Sequence, residues 1–321
     1  MKKTIMVTGG SGFLGSYVCK ILFEHGYKVV SYDIKPPRGE SLFIQKSYQT
    51  AIHYVNGQVT DLSRILAVCK AMKVTKIVHT AGFIDVGGSV DQPYFTYKVN
   101  TEGSIVMYEA ARLLDIKRIV LISSNGVYQK KEYEPIDEKH PVFSPCVGSL
   151  TSHYGASKIA AEIMGLTYFT FNNIDLIILR MCSIYGFGMK NPMYIKPMVE
   201  NTVSGHPSDF PTGGNMLRDY TYVKDSAKAV LNAIEADNSL LKQRVFNISG
   251  GKLYSAFEVA EIVNSLMPKA SIKIGSGLSD IEKIDIEGRG VLDCAKAKEM
   301  ISYNPEYDLK RGIKEYIYLL Q

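Results

Sequence analysis

The feature that most narrows the fold is a glycine loop placed directly behind a short apolar run. Thr4–Thr8 reads as a strand, and Thr8-Gly9-Gly10-Ser11-Gly12-Phe13-Leu14-Gly15 follows it, opening a helical pattern over Phe13–His25. Gly26 then supplies the usual helix-ending glycine. In a strand–turn–helix unit, glycines at 9, 12 and 15 turn the chain sharply and let backbone approach a pyrophosphate. The phosphate charge then rests on the unpaired N–H groups of the helix start. Spacing alone is weak evidence, because the chain holds 27 glycines. What strengthens it is Asp33 at the end of the second strand, 18 residues past Gly15. A carboxylate there accepts from ribose hydroxyls and repels a 2′-phosphate, so the expected dinucleotide is NAD rather than NADP. Arg38 lies beyond Pro36-Pro37 and is too displaced to reverse that preference.

Further β-rich runs at Lys28–Tyr32, Ile77–Thr80, Arg118–Ile122 and Asp175–Arg180 alternate with helical stretches. They lack polar alternation, as strands covered on both faces do. The reading is α/β: a Rossmann-type, doubly wound parallel sheet over residues 1–180, the dinucleotide-binding domain. Beyond residue 181 the rhythm loosens, with glycine, proline and asparagine clustered at Tyr185–Pro192 and Gly205–Asn215. A strand at Arg244–Ile248 and helices at Ala256–Leu266 and Leu309–Leu319 follow. Residues 181–321 are therefore expected to form a smaller, irregular substrate-binding domain, with segments around 218–250 packing back on the first.

Composition excludes several classes. The net charge of +5 is spread along 321 residues, with Lys130-Lys131 the one adjacent basic pair of note. A nucleic-acid binder concentrates its charge, so no nucleic acid is expected. No run approaches a membrane span, and the apolar stretch behind Met1-Lys2-Lys3 is too short for an export signal. Cys19, Cys69, Cys146, Cys182 and Cys294 are odd in number and form no C-x-x-C, which favours free thiols and a cytoplasmic location. Asp280, Glu282, Asp285 and Glu287 could suggest a metal, but no histidine or cysteine joins them. They read as a solvated loop or edge, and no metal is expected.

Tyr154 and Lys158 stand four residues apart, on one face of a helix. A nearby ammonium favours the phenolate and so lowers the tyrosine pKa toward that of a useful base. The same spacing occurs at Tyr94/Lys98 and Tyr220/Lys224, in a chain of 21 tyrosines. What separates the middle pair is Ser123-Ser124 at the carboxyl end of the fifth strand, 30 residues upstream of Tyr154. Carboxyl ends of parallel strands are where such sheets bind ligands. The other two pairs read as helix or loop packing.

These residues together resemble the extended short-chain dehydrogenase/reductases, in particular the NAD-dependent epimerase/dehydratase branch. The resemblance also takes in His79-Thr80-Ala81-Gly82, Asn100, Leu179-Arg180 through Tyr185-Gly186, Arg218 through Asp225, and Asp293-Cys-Ala-Lys-Ala-Lys. It implies catalysis by Ser124, Tyr154 and Lys158. It implies cofactor contacts from Gly9, Gly12, Phe13, Leu14, Gly15, Asp33, Ile34, Gln58, Val59, Thr80, Ala81, Gly82, Asn100 and Ser123, with Tyr154 and Lys158. Asn100 is also expected to hold the geometry of the active-site helix. Ser124, Ser183, Arg218 and Arg289 are the implied substrate contacts, the arginines gripping phosphate oxygens. A homodimer through the helices near Tyr94–Arg112 and Tyr154–Phe171 is likewise implied.

Ala81-Gly82-Phe83-Ile84-Asp85-Val86-Gly87-Gly88-Ser89-Val90 is most similar to UDP-hexose 4-epimerases. Related dehydratases and decarboxylases need a further acid or base just after the catalytic serine or threonine. Here those positions are Asn125 and Gly126, which cannot serve. Epimerisation of a nucleotide sugar is thus the leading expectation, and the alternative is a dehydrogenase of a smaller polar alcohol. Ser183 where the branch usually has asparagine and Ile84 where the epimerases have lysine keep that alternative open, and Gln58 stands where an aspartate usually contacts adenine, its amide oxygen able to accept the same hydrogen bond.

Overall fold

The computed structural model describes residues 3–48, 51–84, 86–142 and 152–321. Seven strands form one sheet: β1 (Thr4–Thr8), β2 (Lys28–Asp33), β3 (His53–Asn56), β4 (Val74–His79), β5 (Arg118–Ser124), β6 (Leu176–Met181) and β7 (Val245–Ile248). Their spatial order is β7-β6-β5-β4-β1-β2-β3, and every neighbouring pair is parallel. The α/β, doubly wound reading holds. β3 carried no sequence signal because its residues are half-buried to exposed, as suits a sheet edge.

Alternation along each strand divides the core in two. Ile5 and Val7 join a core with α1 (Phe13–Glu24) and α5 (Val223–Glu235), whereas Met6 faces α2 (Leu62–Ala71) and α3 (Gly103–Leu114). In β5, Val120 and Ile122 go to the first core, and Ile119 and Leu121 to the second. This period of two is why the strand sequences are apolar throughout. The 20-residue helix α4 (His153–Asn172) packs on the second face, with Ala161 in its core.

Beyond β6 come three two-stranded ribbons: Ile184–Tyr185 with Thr221–Tyr222, Leu217–Asp219 with Leu253–Ser255, and Ser208–Phe210 with Ile272–Ile274. The core does not stop at residue 180. Ile195, Met198, Val259, Val263, Ile313 and Tyr316 belong to the same cluster as Ile5 and Val18. Residues 280–287, expected as a solvated loop, instead form helix α6 (Asp280–Glu287), because Ser279 and Glu282 complete a reciprocal capping box.

One buried cation ties the sheet to α5. Arg118, at the start of β5, donates to Asp175 (2.7 Å), to the Ala233 and Ala236 carbonyls (2.9 and 2.6 Å) and to Asn238 (2.6 Å). The carbonyls belong to the last turn of α5 and its cap, so the guanidinium satisfies a helix end otherwise short of donors. Replacing Arg118 with methionine leaves those carbonyls without their donor, while Asp175 keeps Arg244 (2.8 Å), at a cost of about 2 kcal/mol. Urea unfolding followed by circular dichroism checks this; a loss below about 1 kcal/mol would remove Arg118 as the anchor of α5.

Candidate active site

The strand order reverses between β1 and β4, and in doubly wound sheets the ligand crevice lies between the loops leaving such a pair of strands. Here the two loops also touch. Thr80 donates to the Thr8 carbonyl through both its N–H (3.2 Å) and its hydroxyl (2.6 Å). Gly9 has φ +69°, and a Cβ on it would lie 2.7 Å from the Ala81 nitrogen. A Cβ on Gly15 would lie 2.0 Å from the Gly9 carbonyl oxygen. Only glycine fits at either position. The glycines thus let the loop pack tightly on itself and on the loop after β4 at the start of α1, a turn of the kind that suits a dinucleotide pyrophosphate. Asp33 closes the second side, accepting from the Ser11 N–H (3.0 Å) and the Lys35 N–H (3.2 Å).

Tyr154 and Lys158 occupy the first turns of α4, whose start is capped by the Ser152 hydroxyl. Lys158 is buried; its ammonium donates to the Ile122 carbonyl at 2.9 Å and lies 5.9 Å from the Tyr154 ring centre. A Cβ on Gly82 would come 3.3 Å from Lys158 Nζ, so the loop after β4 runs against that charge. Burial pushes the lysine down to about 8, with Glu162 opposing. Ser124 caps the turn Asn125–Val127 by accepting the Gly126 N–H at 3.0 Å. A Cβ on Gly126 would lie 3.3 Å from Ser124 Oγ and 3.7 Å from Tyr154 Cε1, so Gly126 borders both. The Tyr154 phenol is raised rather than lowered, against the expectation from Lys158. Burial outweighs the hydrogen bond with Ser124 and the positive charge of Arg289, both of which pull it down.

Two elements of this site are held from beneath. Glu162 and Arg180 form a buried ion pair (2.7 Å) between α4 and β6. Glu162 also accepts the Ser123 hydroxyl at 2.5 Å, and Arg180 donates to the Tyr128 hydroxyl at 2.9 Å. Asn100 lies in a π-helical turn, Lys98–Glu102. Its side chain exchanges hydrogen bonds with the Phe83 backbone (2.7 and 3.1 Å) and donates to Ser157 (2.9 Å). Asn100 thus clamps α4 to the loop after β4.

Arg289, whose charge acts on the Tyr154 phenol, and Arg218, distant from it in sequence, meet at one carboxylate. Arg218 donates to Asp285 Oδ2 at 2.8 Å, and Arg289 reaches Oδ1 with Nε at 3.1 Å and NH2 at 2.7 Å. Their charges hold the Asp285 carboxyl below the usual carboxylate range despite its burial. All three side chains are partly open to solvent. No group of metal-ligating side chains occurs among the described residues.

Residues 5–249 match the family described as NAD dependent epimerase/dehydratase. The chain belongs to that family. A putative UDP-glucose 4-epimerase of Methanocaldococcus jannaschii is 32% identical, covering 98% of this chain and 97% of its own length. Among solved structures, UDP-glucose 4-epimerase of Thermotoga maritima with UDP-glucose superposes with a TM-score of 0.82 at 24% identity, covering 98% of each chain. The dTDP-glucose 4,6-dehydratase of Bacillus anthracis in complex with NAD does so with 0.79 at 24% identity, covering 99% of this chain and 96% of that one. As a member of this family the chain is an NAD-dependent enzyme. An epimerase and a dehydratase fit it about equally well, so the fold does not choose between their reactions.

Several positions implied by the family resemblance have side chains that are buried or already engaged within the protein. Leu14 is a core residue, Val59 is buried and would collide with any Cβ on Gly103, and the Ser123 hydroxyl is spent on Glu162. The Thr80 hydroxyl and the Asn100 amide brace the loops and α4, so neither side chain is free for a cofactor. Ile34 and Gln58 are exposed beyond Asp33 and stay available to a ligand. Ser183 has the rare φ of +34° for a non-glycine residue. Of the other tyrosine–lysine pairs, Tyr220 is buried beside Tyr185, whereas Tyr94 is exposed instead of packed. Asp85, part of the epimerase-like stretch, and Cys146 lie outside the described residues. Cys19, Cys69, Cys182 and Cys294 are free thiols, and no helix among the described residues is long and apolar enough to cross a membrane.

The sequence reading gave no role to Glu162 or to His79 and missed the bridging role of Asp285. Glu162 had a usable signal: a carboxylate four residues past Lys158, on the face of α4 that is buried. His79 bonds Thr8 Oγ1 at 2.7 Å, and burial pushes it down to about 3, so it stays neutral.

Lys158 gives a pH prediction. It titrates near 10.5 when exposed and near 8 when folded, so between these values the unfolded chain binds more protons. Its contribution to stability therefore grows as pH rises through that window. Without added dinucleotide, the stability of the wild type minus that of Lys158→Met should increase from pH 8 to 10.5. Urea titrations at stepped pH check it, and a flat or falling difference would contradict the shift.

Proposed function

We propose that this chain is a nucleotide-sugar 4-epimerase acting on UDP-hexoses. The observation that carries the reading is the border around Tyr154: Ser124 and Gly126 flank it, and the position just after the catalytic serine bears no carboxylic acid. Elimination needs such a group, whereas reversible removal of a hydroxyl proton does not. NAD supplies the hydride acceptor and donor. Gly9, Gly12 and Gly15 would hold its pyrophosphate, and Asp33 its ribose hydroxyls. Tyr154 takes the proton from the sugar 4-hydroxyl and later returns it, and Ser124 steadies the same oxygen. Lys158, cationic below about pH 8 and 5.9 Å from the Tyr154 ring centre, would stabilise negative charge that develops on the phenol as it takes the proton. Arg218 and Arg289 face the diphosphate. Residues 181–321 supply most of the substrate side, and the relatives named UDP-glucose 4-epimerase support the choice of nucleotide.

The NAD-loaded enzyme should interconvert UDP-glucose and UDP-galactose, or their N-acetyl or uronate counterparts, without net change in absorbance at the reduced-nicotinamide band. Tyr154→Phe should lower the rate by about 10²–10⁴-fold while NAD binding persists. Steady accumulation of reduced cofactor with a sugar acid or hydroxy acid would instead make the chain a dehydrogenase.

The enzyme is read as a cytoplasmic homodimer. Tyr94 (78% exposed) and Phe171 (79%), with Phe95, Leu113, Ile163 and Met164, leave large apolar side chains bare around α3 and α4. Patches of this kind mark association surfaces. Sedimentation should give about twice the chain mass of 35.7 kDa, and Ile163→Arg with Phe171→Arg should give the monomer. A monomeric wild type would sink the assignment.

A further inference from the structure

Asp285 has the geometry of a ligand rather than of a simple surface ion-pair partner. An i,i+4 pair with Arg289 on its own helical turn would be ordinary. Arg218, however, reaches it from a different element, the Leu217–Asp219 strand. Each carboxylate oxygen serves one guanidinium, as two phosphoryl oxygens would. Arg289 spends both Nε and NH2 on Asp285 Oδ1, and that edge of the fork is the one suited to an oxyanion. Helix α6, which carries Asp285, is fixed separately by its capping box and by Tyr194 donating to Glu282. The carboxylate can therefore leave the arginines without loss of the helix.

We propose that Asp285 is a built-in counter-anion: it keeps Arg218 and Arg289 converged and competes with the substrate diphosphate for them, setting how tightly the nucleotide is held. Two guanidiniums and one carboxylate leave a net charge of +1 facing a diphosphate. Removing the carboxylate would raise it to +2 and free the fork of Arg289. The inference rests on the reading of Arg218 and Arg289 as the diphosphate contacts.

The test is calorimetric titration of UDP, and separately of inorganic pyrophosphate, into NAD-loaded wild type and Asp285→Asn. The variant should bind both on the order of tenfold more tightly, with a steeper loss of affinity as salt increases. Asp285→Ser should change affinity in the same direction. Unchanged or weaker binding of UDP by folded variants, with the wild type binding it, would overturn the counter-anion role and leave the epimerase reading standing. Tighter pyrophosphate binding by the variants, with UDP bound by none of the proteins, would retain the counter-anion and overturn the nucleotide reading. Loss of the folded state in both variants would make Asp285 a structural brace and end the proposal.

Discussion

The contact on which the site depends is the one between Thr8–Gly9 and Thr80–Ala81, where β1 and β4 part. A parallel sheet wound in both directions opens a crevice only where its order reverses, and here that crevice is bridged at its base by backbone. The Thr8 carbonyl takes two donors from Thr80, and Gly9 lies so close to Ala81 that no side chain fits between them. The start of α1, the end of β2 at Asp33 and the loop running to Gly82 all take their positions from this junction. A larger residue at Gly9 would push apart the two loops proposed to hold the dinucleotide.

A second support lies under the residues proposed to be catalytic. Tyr154, Lys158 and Glu162 follow one another at single-turn intervals on α4. The last of them is pinned to Arg180 of β6 and to Ser123 of β5. The helix and the strand that present Tyr154 and Ser124 are thus fastened by one buried carboxylate. Such a pair adds little net stability, because desolvating both charges offsets most of their attraction, but breaking it strands a charge in the core. Its value here is geometric, since it fixes the phenol against the serine hydroxyl. The Asn100 clamp does the same from the opposite side, through Ser157 and the Phe83 backbone.

How much of this could be read from the chain depended on whether a signal was local. The glycine loop, Asp33, Gly26 and the apolar strands follow from backbone sterics and burial acting within a few residues, and they stand where expected to within a residue or two, except that the fourth strand starts at Val74 rather than Ile77. β3 was illegible because an edge strand is not buried enough to be uniformly apolar. The family resemblance located Arg218 and Arg289, but nothing local could join them, since their meeting needs Asp285 of a helix that read as a loop. The phenol of Tyr154 was misjudged because helical spacing reports the nearness of an ammonium and is silent on desolvation. Glu162 was overlooked although a lone acid on a buried helix face asks for a partner.

The seamless core has a consequence for how such a chain can be altered. Ile195, Met198, Val259 and Ile313 lie in one apolar mass with Ile5 and Val18, on both sides of the boundary suggested by the loosening at residue 181. Cutting the polypeptide there would lay open a face on each fragment, and neither would retain a complete interior of its own. Grafting the later half of one relative onto the earlier half of another would have to match side-chain volumes across that shared interior. Substrate preference is thus more readily changed by exchanging loop residues at the rim than by swapping halves.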